Sequence, residues 1–434
     1  MHNSNRRSFL KGSAGTALTM SLLGNPAVWA GANDKIRVCT TGVHGRGNDH
    51  IGGLGRVEGV EIAALCDVDE NLLNSKADAL EKRSERKIKR YVDFREMLKD
   101  PDIDVVTVAT PNHWHSLQSI WACEAGKDVY VEKPLSHNIR EGRLLVETAR
   151  KYNRIVQHGT QIRSSSAVQE AIEHLRQGTL GEVYYAKGTC YKWRNTIGKK
   201  EPAPTPEGVH YNLWLGPAKE RPFTQNRFHY NWHWHWDYGN GDIGNQGVHQ
   251  MDIARWGLGV KLPDLVSSVG GHFMFDDDQE TPNTLVSSMK FEKENKMLVF
   301  EVRHWITNDE LGEGGKGNVV GNLFLGSEGI MVIPSYSSYQ IYLGKDRKPG
   351  PGRNAGGDHY ANFIKAVRSR KHEELNADVL EGHYSSALCH LANASYLVEE
   401  TLKIDREKEA CTNNDDAHKI LQGTYRKPFE LPDA

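Results

Sequence analysis

Lys35–Gly47 reads KIRVCTTGVHGRG. Its first seven residues form a short apolar strand, and the strand runs straight into a glycine turn. A turn of this kind lets the backbone approach a pyrophosphate, while the first N–H groups of the following helix point at it. Gly42 and Gly47 take the first and third places of a G-x-G-x-x-G turn; His44 stands at the second, with Gly45 beside it. The next strand, Glu61–Cys66 (EIAALC), closes on Asp67. A carboxylate there accepts both ribose hydroxyls of NAD and repels the 2′-phosphate of NADP. The expected cofactor is therefore NAD rather than NADP, held by Gly42, His44, Gly45, Arg46, Gly47 and Asp67.

Outward from this turn the strand–helix alternation continues. Ile103–Ala109 is almost wholly apolar, as a strand covered on both faces must be. Asp128–Val131 and Arg154–Gln157 follow, with helical stretches at His113–Ala125 and Asn138–Tyr152 between them. The pattern predicts βαβ units and a doubly wound parallel sheet, a Rossmann domain over residues 34–160. Beyond it the texture changes to longer alternating stretches, Glu182–Trp193, Leu265–Phe275, Leu285–Phe291 and Met297–Trp305. These predict an α+β domain over 161–400 built on a large, mostly antiparallel open sheet for substrate and subunit contacts. Gly344–Gly357 reads as a loop, His359–Ser369 and Val379–Thr401 as helices, and 401–434 as a polar tail packed on the surface. The fold class is α/β in two domains.

Composition narrows the function. The 434 residues carry 54 Lys and Arg against 56 Asp and Glu, a net charge of -2. No basic excess exists to release counterions from a nucleic-acid backbone, so a nucleic-acid partner is not expected. Six well-separated cysteines form no C-x-x-C pair, which excludes a thiolate zinc site. Asn5-Arg6-Arg7-Ser8-Phe9-Leu10-Lys11, a weakly apolar run and Ala27-Val28-Trp29-Ala30 make residues 1–30 similar to a twin-arginine signal peptide. The expected partners therefore include the twin-arginine export machinery, and the expected location is the periplasm or another exported site.

Thr110-Pro111-Asn112-His113-Trp114-His115 and Glu132-Lys133-Pro134 each follow a strand, at the carboxyl ends where open α/β sheets bind ligands. Together with GVHGRG, CDVD, VYVEKPL and the later GNQGVHQMD, in that order, they resemble the glucose–fructose oxidoreductase / inositol dehydrogenase / MocA family, written Gfo/Idh/MocA. The resemblance implies that Thr110, Pro111, Asn112, His115, Glu132 and Lys133 touch the cofactor. It makes Lys133 the group that hydrogen-bonds and helps deprotonate the reacting hydroxyl. It further implies that His249 acts as base or relay for that hydroxyl. Asn245 stands where many sugar dehydrogenases of the family carry Asp; an amide orients a hydroxyl but takes no proton. On a regular helix Asn245, His249 and Asp252 share one face. Members usually pair through the second domain's sheet, which implies a homo-oligomer.

Phe228–Tyr238 (FHYNWHWHWDY), read as an extended segment, puts His229, Asn231, His233, His235 and Asp237 opposite an aromatic row containing Trp236. Such a pair of rows suits a carbohydrate. The His-x-His spacing with Asp237 would also suit a metal, but spacing fixes no third ligand, and substrate contact through His233, His235 and Trp236 is the expectation. Arg163 is expected to bind substrate hydroxyls or a carboxylate, a surface ion pair being the alternative, and Asp252 to bind substrate. His383 and His390, on the helix from Val379, are expected to be packing residues.

The expected activity is that of an exported NAD(P)-dependent oxidoreductase acting on a hydroxyl of a sugar, glycoside or cyclitol. Export of the folded protein implies a tightly retained cofactor, restored within each cycle. Two alternatives stand: a redox-neutral NAD-dependent glycosidase or lyase acting through a transient keto-sugar, and a non-catalytic sugar-binding protein.

Overall fold

The computed structural model describes residues 35–305 and 317–432; the signal-peptide segment lies outside the described residues. Six parallel strands, β1 (Ile36–Thr41), β2 (Val60–Cys66), β3 (Lys89–Tyr91), β4 (Val105–Val108), β5 (Asp128–Val131) and β6 (Val156–His158), form the first sheet in the order 3-2-1-4-5-6. The crossovers carry α1 (Gly45–Leu54), α2 (Glu70–Ser84), α3 (Phe94–Leu98), α4 (Asn112–Glu124) and α5 (Ile139–Lys151). Every residue of β4 and β5 is buried, because helices cover both faces. The chain direction around the sheet reverses between β1 and β4, and the crevice at their carboxyl ends is where such folds take a ligand.

The second domain holds α6 (Ser166–Arg176), β7 (Val183–Tyr191), α7 (Tyr211–Leu215), α8 (Val248–Leu258) and β8 (Leu265–Gly271). There follow β9 (Thr284–Phe291), β10 (Lys296–Arg303), β11 (Val319–Gly326), β12 (Gly329–Ser335), β13 (Ser338–Leu343), β14 (Lys348–Asn354), α9 (His359–Ser369) and α10 (Val379–Val398). Last come β15 (Leu402–Asp405), β16 (Ala410–Cys411) and α11 (Asp415–Gln422). The ten strands form one open sheet, antiparallel except where β7 runs parallel to β10. β9 alternates strictly: Leu285, Ser287, Met289 and Phe291 point inward, and Val286 points out. The inward row packs with residues of α6, α8 and α10 in one hydrophobic core.

Two expectations needed correcting. Gly344–Gly357 is not all loop: Lys348–Asn354 pairs with β13 as the edge strand β14. Its prolines and nearly all-exposed side chains leave no burial period to read, and an edge is where a sheet tolerates proline. The 401–434 segment is more than a surface tail, since β15 extends the sheet beside β8, and Phe429 is buried against Trp114 of α4.

Candidate active site

β1 ends at Gly42, whose φ of +78° suits glycine and whose Cβ would fall 2.7 Å from the Ala109 carbonyl oxygen. At Gly47 a Cβ would lie 1.9 Å from the Gly42 oxygen, so α1 seats on the turn only with hydrogen there. Gly45 differs: nothing lies within 4 Å of the same position, and the residue opens onto a cavity of about 300 Å³. Asp67 closes the other side. Its Oδ2 accepts from the Val43 N–H at 2.8 Å and its Oδ1 from the Asp69 N–H at 3.0 Å, which aims the carboxylate along the cavity wall. Burial pushes its carboxyl up to about 6, against hydrogen bonds that favour the charged form.

The cavity brings together Gly42, His44, Gly45, Arg46, Asp67, Thr110, Pro111, Asn112, His115, Glu132, Lys133 and Asn245. Gly47 acts one step behind the wall. His44 opens α1 and stacks on His229, ring centroids 5.0 Å apart. Thr110 donates to the Gln118 side chain, and Asn112 donates to that of Asn240 at 3.0 Å. The His115 ring lies between the carbonyls of Thr110 and Pro134, tying the two strand-end loops together.

Glu132 is buried at the end of β5. It accepts from Arg46 Nε at 2.7 Å, from His50 Nε2 at 3.0 Å and from the Lys133 N–H at 3.2 Å. Burial pushes its carboxyl up, but Arg46 and His50 outweigh that and hold it well below the usual carboxylate range. The glycine-turn helix is thereby locked to the strand that carries Lys133. Lys133 is half-buried; desolvation draws its ammonium down to about 8, with the Glu132 charge opposing. Its Nζ donates to the Asn245 backbone oxygen and, at 3.3 Å, to Asn245 Oδ1.

Asn245, His249 and Asp252 do not stand on one regular helix. Ile243–Gly247 is a π-turn leading into α8, and the wider turn shifts the register. Asn245 reaches the cavity. His249 is not in its wall; the ring packs 5.1 Å from that of Tyr336, its Nδ1 has no hydrogen-bond partner, and desolvation keeps the imidazole neutral. Asp252 and Arg163 are not in the wall either. They pair with each other, Nε to Oδ2 at 2.7 Å, and Asp252 also accepts from Ser385. Both are almost fully buried, so the expected substrate contacts become a structural ion pair under α10, with Glu381 at 3.1 Å from Arg163.

Phe228–Tyr238 is likewise not extended. Asn231–Trp234 is a 3-10 turn, because Phe228, Trp232 and Tyr238 pack with Trp214 and Phe223 in an aromatic cluster. His233 lines the cavity; His235 is buried with its Nε2 on the Asn226 carbonyl, and Trp236 faces a different cavity. Burial holds the His233 imidazole down to about 3, and its Nδ1 bonds to the Tyr230 carbonyl, so the proton sits on Nδ1. Among the described residues no group of three or more His, Cys, Asp or Glu side chains has the geometry for a metal ion.

One residue escaped the sequence reading. Asp242, fully buried, accepts from Arg194 at 2.6 and 2.9 Å, is 2.9 Å from His304 Nε2, and accepts from Asn245 Nδ2 at 3.1 Å. Burial acts against its charge, but Arg194 and His304 hold the carboxyl well below the usual range. Asp242 thus fixes the Asn245 amide with its oxygen toward Lys133. The only signal in sequence was its place three residues before Asn245.

The residues present fit NAD: open space at Gly45, an inward carboxylate at Asp67 and an apolar end at Val92, Phe94 and Trp121 suited to a heterocycle. A doubly wound nucleotide fold joined to a large open sheet, with a lysine where the two meet, defines a nicotinamide-dependent α/β oxidoreductase fold. The family model described as "Oxidoreductase family, NAD-binding Rossmann fold" matches residues 36–160. That described as "Oxidoreductase family, C-terminal alpha/beta domain" matches 165–269 and 353–431. The chain belongs to the Gfo/Idh/MocA oxidoreductase family. Curated relatives include a "Glycosyl hydrolase family 109 protein" of Shewanella baltica, 29% identical over 211 residues. An "Alpha-N-acetylgalactosaminidase" of Shewanella oneidensis is 28% identical over 211 residues. Both matches take in 43% of this chain and 46% of the relative, so the chain spans about half the length of the curated relatives it matches. Among solved structures, the WlbA dehydrogenase of Bordetella pertussis with NADH and UDP-GlcNAcA superposes with a TM-score of 0.64 at 19% identity, covering 85% of this chain and 99% of that one. Levoglucosan dehydrogenase with NADH and levoglucosan gives 0.63 at 18%, covering 86% and 100%. These likenesses show the fold.

Proposed function

We propose that the protein is an NAD-dependent oxidoreductase acting on a hydroxyl of a sugar, glycoside or cyclitol. The observation that carries this is Lys133, an amine drawn down to about 8 on the wall of the cavity that also holds the glycine turn and Asp67. When bound, NAD supplies a hydride acceptor. Near neutral pH part of Lys133 is uncharged and able to take the proton of a substrate hydroxyl, which an ordinary lysine would not be. Asn245 holds the amine in place. His233 offers its Nε2 lone pair to a second hydroxyl, and Trp214, Tyr230 and Trp232 give the cavity aromatic faces for ring C–H groups. His249, a neutral imidazole within electrostatic range of Lys133 and Glu132, serves as a relay behind Lys133 rather than as a group of the cavity wall.

The relatives' names favour a second reading, a redox-neutral glycosidase. With NAD bound to take and return a hydride, a ketone on the sugar ring would acidify the neighbouring C–H, the aglycone would leave by elimination, water would add to the resulting enone, and reduction of the ketone would close the cycle without net redox change. Incubation with a panel of sugars and with p-nitrophenyl α-N-acetylgalactosaminide separates the readings. Net reduced nicotinamide supports the oxidoreductase. Nitrophenol release with solvent deuterium in the sugar, and no net reduction, moves the assignment to the glycosidase. Sugar binding without either leaves a non-catalytic binder.

The Arg6-Arg7 segment supports the further reading that the chain is exported folded with NAD retained. Small molecules released by acid from protein purified without added cofactor test it: stoichiometric NAD supports retention, and an empty protein overturns it.

A further inference from the structure

The cofactor cavity is not walled by the nucleotide domain alone. Residues 198–238 leave the second domain, cross to the first and return. The outgoing end is held where the Asp278 N–H donates to the Gly198 carbonyl at 3.1 Å, the returning end where the Glu280 N–H donates to the Trp234 carbonyl at 2.9 Å. Between these anchors the chain meets the loop after β2. The Glu70 N–H donates to the Gly208 carbonyl and the His210 N–H to the Val68 carbonyl, each at 2.9 Å, and Asn71 Nδ2 donates to the Glu207 carbonyl at 2.9 Å. The two backbone bonds make Asp69 and Val209 an antiparallel bridge between the domains. Farther along, Trp214, Tyr230, Trp232 and His233 line the cavity together with the glycine turn and Asp67.

His229 is where this segment reaches the glycine turn. Its ring stacks on that of His44, centroids 5.0 Å apart, and its Nε2 lies 3.3 Å from Asp69 Oδ2. Both imidazoles line the cavity and both reach solvent: His44 is exposed, and the His229 side chain keeps 34% of its surface in water. The stacked pair therefore lies at the mouth of the cavity and not on its floor. The His229 backbone has a φ of +59°, in the left-handed region that favours glycine. Trp232 Nε1 donates to its carbonyl at 2.8 Å, and the ring of Phe228, buried in the aromatic cluster, lies 4.0 Å from the imidazole. These contacts hold the strained residue in place, and strain of this kind collects at ligand clamps.

We propose that residues 207–233 form a strap over the dinucleotide cavity, with His229 as its latch, a cofactor-holding residue that the second domain supplies to the nucleotide site. NAD enters and leaves only when the His44–His229 stack and the bridge between Asp69 and Val209 part. The strap rests on the cavity being the NAD site. It gives retention of the cofactor a physical cause that does not depend on where the protein resides.

Asp69→Cys combined with Val209→Cys tests the strap. Neither residue lines the cavity, and the two sit between the paired backbone bonds, a placement that puts Cα atoms about 4.5 Å apart, within reach of a disulfide. The six native cysteines are all buried, so oxidant and reductant act on the added pair. Loss of the Asp69 cap on α2 is common to both redox states and cancels between them. Stopped-flow tryptophan fluorescence and exchange of bound NAD for deuterated NAD give the binding and release rates. They are measured on this protein oxidised and reduced, and on the parent beside His229→Gly, whose glycine accepts the left-handed backbone.

Closing the disulfide is expected to slow NAD binding and release at least tenfold each, and dithiothreitol to restore both. His229→Gly, folded by circular dichroism, is expected to release NAD at least tenfold faster than the parent. Three results overturn the strap and leave the NAD site standing: equal rates with the disulfide open and closed, equal release by parent and His229→Gly, or a cysteine pair that an oxidant fails to close. A disulfide that slows release alone makes the segment a fixed wall and likewise overturns it. A parent that binds no NAD removes the cofactor reading itself, and the strap with it.

Discussion

Replacing Glu132 with Gln removes one negative charge from the point where α1, β5 and Lys133 meet. The carboxylate, 4% exposed, accepts from Arg46 Nε, His50 Nε2 and the Lys133 N–H. An amide keeps one acceptor oxygen but turns an N–H₂ toward a guanidinium or an imidazole, donor against donor. Removing one partner of a buried pair typically costs about 3–5 kcal/mol. Arg46 keeps a third of its side-chain surface in water, which places Glu132→Gln at the lower end, about 3 kcal/mol. The same charge raises Lys133 against the desolvation that draws it down, so its loss moves the amine below 8. Unit charges at an effective dielectric of 20 interact by about 4 kcal/mol at 4 Å and about 2 kcal/mol at 8 Å, and one pKa unit is about 1.4 kcal/mol, so a shift of at least about one unit is expected. The uncharged amine is the active base, hence the rising limb of kcat/KM against pH moves to lower pH. Urea unfolding and pH–rate profiles of the two proteins measure both effects. Unchanged stability with a limb still near 8 would refute the assignment of Glu132 as the charge that tunes Lys133.

Three further outcomes are expected. The Asp67 carboxyl is held at about 6 in the free protein against an ordinary 3.8, so the folded state binds the extra proton between these values and Asp67's contribution to stability falls as pH rises through that window. Ribose hydroxyls donating to the carboxylate favour its charged form, so calorimetry should show NAD affinity rising as pH climbs through 6, and Asp67→Asn should abolish that rise and cost about 1.5–3 kcal/mol per lost charged hydrogen bond. Gly45→Ala meets no atom within 4 Å in the protein alone, so its thermal unfolding should match the parent while its Kd for NAD rises at least tenfold; equal affinity would mean the pyrophosphate lies elsewhere. Arg163→Met strands the buried Asp252 carboxylate and should cost about 3–5 kcal/mol in urea unfolding, with kcat/KM per folded molecule unchanged; a selective rise in KM would restore the substrate role expected from sequence.

The local features were legible because short stretches of chain carry them. GVHGRG makes its turn from its own glycines, and the apolar run Ile103–Ala109 announces a strand covered on both faces. What stayed hidden depends on partners distant in sequence. Arg163 finds Asp252 across 89 residues, and Asp242 owes its charge to Arg194 and His304, 48 and 62 residues away. The alternation in Phe228–Tyr238 was real, but Trp214 and Phe223 draw its aromatics into a cluster that coils the backbone. β14 gave no signal since an exposed edge strand needs backbone pairing and no side-chain period. The π-turn before α8 breaks the regular helix on which Asn245 and His249 were counted, which residue spacing alone does not reveal.

The role proposed for Lys133 is to take the proton of the reacting hydroxyl beside bound NAD. Lys133→Met keeps an unbranched apolar side chain of similar length, and NAD binding by the variant, measured by calorimetry, serves as the control for folding. The decisive measurement is single-turnover nicotinamide reduction, followed by absorbance, on the best substrate of the sugar and glycoside panel. The variant is expected to bind NAD as the parent does and to reduce it at least a hundredfold more slowly, with the pH limb near 8 gone. A variant that binds NAD and reduces it at the parent rate, with the same limb, would contradict it.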